Sequence, residues 1–118
     1  MARTTETTDD EFLEALGALE EVLTDNGERA RLIRKRIAQL RRLRARDMPY
    51  TELVTSQDGP LIVQLLTESS TELDSCGARV RRAEAKALYA EGLTMERIAK
   101  SFGVTRQRVS ALLREAPQ

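Results

Sequence analysis

The sequence predicts an all-α chain: an N-terminal helical hairpin or bundle followed by a C-terminal tri-helical unit. Three observations carry this. Apolar residues recur at spacings of three and four through most of the 118 residues. Strand signals are nearly absent, and only two Tyr and two Phe occur. Glycines, prolines and hydroxyl caps cut the chain into pieces of helical length.

Taken in order, Thr8-Asp9-Asp10-Glu11 reads as a capping box, a hydroxyl cap with a glutamate three residues on. Behind it Phe12, Leu16, Leu19 and Leu23 line one face of a first helix, and Asn26-Gly27 is expected to stop it. A second helix is expected from about Glu28 to Arg46, with Ala30, Ile33, Ile37, Leu40 and Leu43 on one side, closed by Pro49. Two short helices follow, one carrying Tyr50, Leu53 and Val54. The other opens at Gly59-Pro60 and carries Ile62, Leu65 and Leu66. Ser69-Ser70-Thr71-Glu72 offers a further cap for a longer helix to about Glu91, striped by Leu73, Cys76, Val80, Ala83 and Ala87 and stopped by Gly92. Cys76 reads as a small core residue.

A net charge of zero hides four blocks. Residues 1–28 carry net −8, residues 29–46 net +9, residues 47–78 net −6 and residues 79–118 net +5. Two basic zones separated by acidic ones suit a polyanionic partner. With no histidine and one cysteine, the commonest general base, an internal disulfide and a cysteine zinc cage are all excluded. No nucleophile–base pair or phosphate-cradling glycine loop is evident, so neither catalysis, a metal nor a cofactor is expected. No apolar run approaches the ~20 residues of a membrane span, and no signal-peptide core is present. A cytoplasmic protein is expected.

The last piece is the most specific. In "LTMERIAKSFGVTRQRVSALLRE", Thr94 caps a helix from Met95 to Ser101, Gly103 breaks it, and Thr105 caps a second helix to about Glu115. Ile98, Ala99, Val104, Val109 and Leu112 are the inward positions; Ala99 is small where the second helix crosses, and Gly103 supplies positive φ. These residues, in register over about twenty positions, resemble the helix-turn-helix of DNA-binding proteins. The form they most resemble is that found in resolvase-type DNA-binding domains and in the sigma-factor region that reads the −35 promoter element. The preceding "RRAEAKALYAEG" would be the third helix. The resemblance implies a recognition helix opening at Thr105 in the DNA major groove. Arg106, Gln107 and Ser110 would face the bases, with Arg108 and Arg114 flanking toward phosphates. Arginine reads guanine bidentately and glutamine reads adenine, each worth ~1–3 kcal/mol of discrimination. Thr94 and Thr105, at helix starts, can offer hydroxyls and amides to phosphates. The bland alternative is a solvated face on a structural helix.

The division expected is a flexible N-terminus over 1–8, a helical dimerisation region over 9–69 and a DNA-binding domain over 70–118. Tyr50, Leu53 and Val54 echo Met95, Ile98 and Ala99, so 47–68 reads either as a degenerate helix-turn-helix repeat or as a coincidence of amphipathic patterns. The seam of Phe12, Leu16, Leu19 and Leu23 against Ile33, Ile37 and Leu40 would leave apolar surface on a lone hairpin. A homodimer through a four-helix interface is therefore expected. The function expected is a bacterial transcriptional regulator that binds double-stranded DNA on the nucleoid. The alternatives are an architectural nucleoid protein and an adaptor that contacts RNA polymerase.

Overall fold

The computed structural model describes residues 2–57 and 59–115, with side chains described from Asp10 onward. Among them are five helices and no strand: α1 (Ala2–Ala45), α2 (Tyr50–Thr55), α3 (Ile62–Ala90), α4 (Met95–Phe102) and α5 (Arg106–Arg114). The chain divides into two units, residues 1–20 with 74–118, and residues 21–73. No helix among the described residues is long and apolar enough to cross a membrane.

The N-terminal hairpin does not form. α1 passes unbroken through Asn26-Gly27, and Gly27 is not among the glycines with positive φ. A helix-interior glycine costs only about 1 kcal/mol, which neighbouring contacts can offset. Asn26 turns its side chain forward along the helix, where Oδ1 accepts from Arg29 Nη1 at 2.9 Å. The seam expected between Phe12–Leu23 and Ile33–Leu40 therefore cannot close within one chain, because both rows lie on one helix. α1 also opens upstream of the Thr8 capping box, whose side chain lies outside the described residues. The helices expected at 60–68 and 70–91 are likewise fused into α3. Between Pro60 and Gly77 the sequence has no breaker, and a Ser/Thr cap without a preceding stop does not end a helix. The part of the 47–68 segment from Ile62 onward is thus the opening of a long helix.

The helix ends have local causes. Pro60 stands two residues before α3, and side-chain amides cap the start instead: Leu61 N–H donates to Gln64 Oε1 at 2.8 Å and Ile62 N–H to Gln57 Oε1 at 3.0 Å. α1, α3 and α4 each end in a left-handed residue followed by a six-to-one backbone closure. Gly92 and Gly103 fill two of these positions, and Asp47, with φ 63°, fills the third. There Asp47 N–H donates to Arg44 O at 2.9 Å and Met48 N–H to Leu43 O at 3.3 Å. A left-handed non-glycine residue is strained by about 1–2 kcal/mol. Asp47→Gly is therefore expected to stabilise the chain by up to about 1 kcal/mol and Asp47→Ala to destabilise it, read from denaturation midpoints. The opposite order would show that the aspartate side chain stabilises this turn.

In the unit of residues 21–73, Arg29 makes a bidentate pair with Glu72 (2.7 and 3.0 Å) and a third contact with Glu68 at 3.3 Å. The Glu72 hydrogen bonds, followed by the charges of Glu72, Glu68 and Asp25, raise the Arg29 pKa against burial, so it stays charged at any working pH. Further along α1, Arg36 is 6% exposed, with Nη2 3.0 Å from where a Cβ on Gly59 would stand. Going from Arg29 to Arg36 thus matches going back from Glu72 to Gly59, and the two segments run antiparallel. Among the described residues, the buried apolar side chains of this unit are Leu53 and Leu65.

In the other unit, α3, α4 and α5 share a core of Ala85, Ile98, Ala99, Val109 and Leu112, flanked by Leu88, Leu93, Met95, Phe102 and Leu113. Ala15 and Cys76 are buried as well, Cys76 as a free thiol.

Candidate nucleic-acid interface

α4 and α5 are short helices whose placement is set by their caps. Thr94 is extended, and its hydroxyl oxygen accepts from Arg97 N–H at 3.2 Å; Thr105 does the same for Arg108 N–H at 3.1 Å. Between them Gly103 sits at φ 67°, ψ 35°, where a side chain would be strained. Val104 departs from its expected inward position: it is 37% exposed. Its backbone N–H donates to Ala99 O at 3.0 Å, so the amide closes the turn and the side chain is left outward. Ile98, Ala99, Val109 and Leu112 are all buried. That burial turns the opposite face of α5 to solvent.

On that face Arg106, Gln107, Arg108 and Arg114 are exposed and Ser110 is half-buried. Arg106, Gln107, Ser110 and Arg114 together line an open hollow of about 190 Å³. Arg114 Nη1 donates to Ser110 Oγ at 3.3 Å, one turn back along the helix. The hollow presents guanidinium, amide and hydroxyl groups on one short surface, the donor set suited to base edges and phosphates. Thr94 and Thr105 use their oxygens as caps, and each hydroxyl proton can still be donated to an anion.

Arg108 belongs to a different edge. Its Nη1 lies 3.7 Å from Glu115 Oε1, beside a clamp that sequence reasoning missed. Glu115, the C-cap of α5, accepts through Oε2 from Arg82 Nη1 at 3.0 Å, and its backbone oxygen accepts from Lys86 Nζ at 2.6 Å. Arg82 and Lys86 both stand on α3, so the end of α5 is tied to α3 by charge-assisted bonds. The Arg82 side chain is 7% exposed, and its Nη2 has no partner among the described residues.

Glu96 was missed too. Its Oε1 lies 2.7 Å from Arg106 Nε, linking the start of α4 to the first residue of α5. Both side chains are more than three-fifths exposed, so the pair contributes on the order of 0–1 kcal/mol and Arg106 can leave it for a better acceptor. No local spacing announces either carboxylate, because each partner is reached through the tertiary fold. Compared with protein-family models, with curated proteins and with solved structures, the chain matches none.

Proposed function

We propose that α4, the turn at Gly103 and α5 form a helix-turn-helix, with α3 supplying the third helix, and that the protein is a sequence-specific double-stranded-DNA-binding transcriptional regulator. α5 is its recognition helix, seated in the major groove of nucleoid DNA. The observation that carries this reading is the hollow where Arg106, Gln107, Ser110 and Arg114 come together on the exposed side of a helix whose other side is core. The resemblance to resolvase-type and sigma-factor −35-reading helices supports the same reading.

In this mechanism Arg106 and Gln107, in the first turn of α5, face base edges, and Ser110 follows one turn later. Arg114 binds the phosphate backbone, and the capping threonines donate to phosphates at the groove edge. Glu96 holds Arg106 extended toward the groove until guanine O6 and N7 replace it.

Selection of a preferred duplex from a random pool, followed by titration of variants, tests the reading. Arg106→Ala and Gln107→Ala are expected to weaken preferred-site binding by roughly 5- to 100-fold and random-sequence binding much less. Arg114→Ala is expected to weaken both alike and to lower the salt slope by about one. Equal losses on every sequence for all three would replace base reading with architectural binding. No duplex binding at all would leave α5 to a protein partner such as RNA polymerase.

A further inference from the structure

We propose that the outward face of α1 from Arg31 to Arg46 is a second DNA-binding surface, which grips the phosphate backbone of a duplex without reading its sequence. It adds a contact to the DNA-binding reading of α5, yet it stands on the α1 surface alone.

The nine bases of residues 29–46, a stretch with no acid, sort into three groups. Arg29 and Arg36 lie on the covered side of the helix, Arg29 tied to Glu68 and Glu72. Arg44 is occupied locally: its Nη1 donates to Met48 O at 2.9 Å, and its guanidinium carbon stands 4.2 Å from the centre of the Tyr50 ring. Arg31, Arg34, Lys35, Arg41, Arg42 and Arg46 are left. All six are exposed, and none has an ion pair or side-chain hydrogen bond among the described residues.

The helix gathers them on one side. At about 100° per residue the first five fall in a sector roughly 120° wide, centred on Ala38 and opposite Arg29 and Arg36. Like charges three and four residues apart repel, and a merely solvated face mixes both signs. α1 does the reverse, with no base from Asp10 to Glu28 and no acid from Arg29 to Ala45. A bound polyanion supplies the countercharge that the helix itself withholds.

The chemistry of the face selects among polyanions. From Arg31 to Arg42 five cations span ~17 Å of unbroken helix. Over that length a duplex carries about ten phosphate charges, roughly half of them turned to any one side. Between Arg34 and Arg41, two turns apart, Ile37 and Ala38 complete the lining of an open hollow of about 500 Å³. The small Ala38 lets a sugar–phosphate strand approach the helix with a guanidinium on either flank. An acidic protein would need an apolar or aromatic anchor at the centre of the face, where Ala38 stands instead. An anionic membrane would need an apolar side of α1 to bury, and the side opposite the cations is covered by the chain itself and holds Arg29 and Arg36. Between Arg31 and Arg42 no amide or hydroxyl falls in the sector, so the contact is with phosphates and indifferent to sequence.

The test compares the full chain with two sets of substitutions. One combines Arg34→Gln, Lys35→Gln, Arg41→Gln and Arg42→Gln; the other combines Arg34→Lys, Arg41→Lys and Arg42→Lys. Glutamine and lysine are both good helix formers, so α1 is kept. On a mixed-sequence duplex of ~20 base pairs, the glutamine set is expected to lower the salt slope by about three to four and to weaken low-salt binding roughly ten-fold or more. Preferred and random duplexes should lose alike, and the lysine set should stay within a few-fold of wild type. In a chain carrying Arg106→Ala, Gln107→Ala and Arg114→Ala, random-duplex binding is expected to persist and to fall again with the glutamine set. Failure of α5 to read bases therefore leaves this result intact. Unchanged affinity and salt slope in the glutamine set would overturn the proposal, as would an equal loss in the lysine set. So would tighter binding of poly-glutamate than of duplex, which would give the face to an acidic protein, or of phosphatidylserine vesicles, which would give it to a membrane.

Discussion

Ile98→Ala is expected to destabilise the unit that holds α4 and α5 by about 2–5 kcal/mol, the usual cost of emptying a fully enclosed aliphatic site. Ile98 is 0% exposed and stands among Ala85, Ala99, Val109 and Leu112, contributed by three helices. Ala85 and Ala99 have no longer side chain with which to fill the void, which favours the upper part of that range. Tyr89→Ala, at a residue 50% exposed, is the control and is expected to change stability by less than about 0.5 kcal/mol. Chemical denaturation followed by amide exchange in α4 and α5 reads the difference. Loss of protection in both helices together is the expected result, because their mutual contact depends on this core. Near-wild-type protection would show that α4 and α5 are held by something other than their shared interior.

Glu115→Ala is expected to cost about 2–3 kcal/mol, and Arg82→Met much less, within about 1 kcal/mol of wild type. Removing the carboxylate strands the Arg82 guanidinium in a site where its side chain is 7% exposed and one nitrogen is already without a partner. Replacing the arginine with an apolar side chain of similar length removes the buried charge along with its partner requirement. Glu115 is over a third exposed, so the expected loss is set below the 3–5 kcal/mol of a fully buried pair. Combining Arg82→Met with Glu115→Ala should then recover most of the stability that Glu115→Ala alone loses. Equal losses from the two single variants would show instead that mutual attraction, and not the burial of Arg82, dominates this contact. Because the clamp ties the end of α5 to α3, Glu115→Ala should also loosen any ligand grip made by the Arg106–Arg114 face.

The C-terminal part of the chain was legible because its signals act over three or four residues. A threonine three positions before an amide that needs an acceptor caps a helix wherever the rest of the chain goes. A glycine at the required left-handed position likewise stops a helix by its own φ. The ends of α4 and α5, and the burial of Ile98, Ala99, Val109 and Leu112, follow from such local rules. Val104 breaks the pattern because the turn needs only its amide, and its apolar side chain stays outward.

The N-terminal part was not legible to the same degree. Asn26-Gly27 carries a stop signal, yet whether a helix stops there depends on the difference between about 1 kcal/mol of glycine cost and what lies alongside. Here Arg29, one turn on, is tied to Glu68 and Glu72, more than thirty residues away in sequence. Periodicity also assumes that arginine faces water. Arg29 and Arg36 instead occupy the covered side of α1, and the leucine and isoleucine stripe beside them stays partly bare.

The sequence by itself determined that the chain is helical, that charge alternates in blocks along it, and where its last two helices begin and end, since backbone capping and composition are local properties. Only the tertiary structure decided that α1 and α3 are continuous, that arginines lie on the inner side of α1, and that Glu96 pairs with Arg106 of α5 and Glu115 with Arg82 of α3. Each of those depends on a partner brought from elsewhere in the chain, and an ion pair or a buried guanidinium leaves no spacing in the sequence from which that partner can be read.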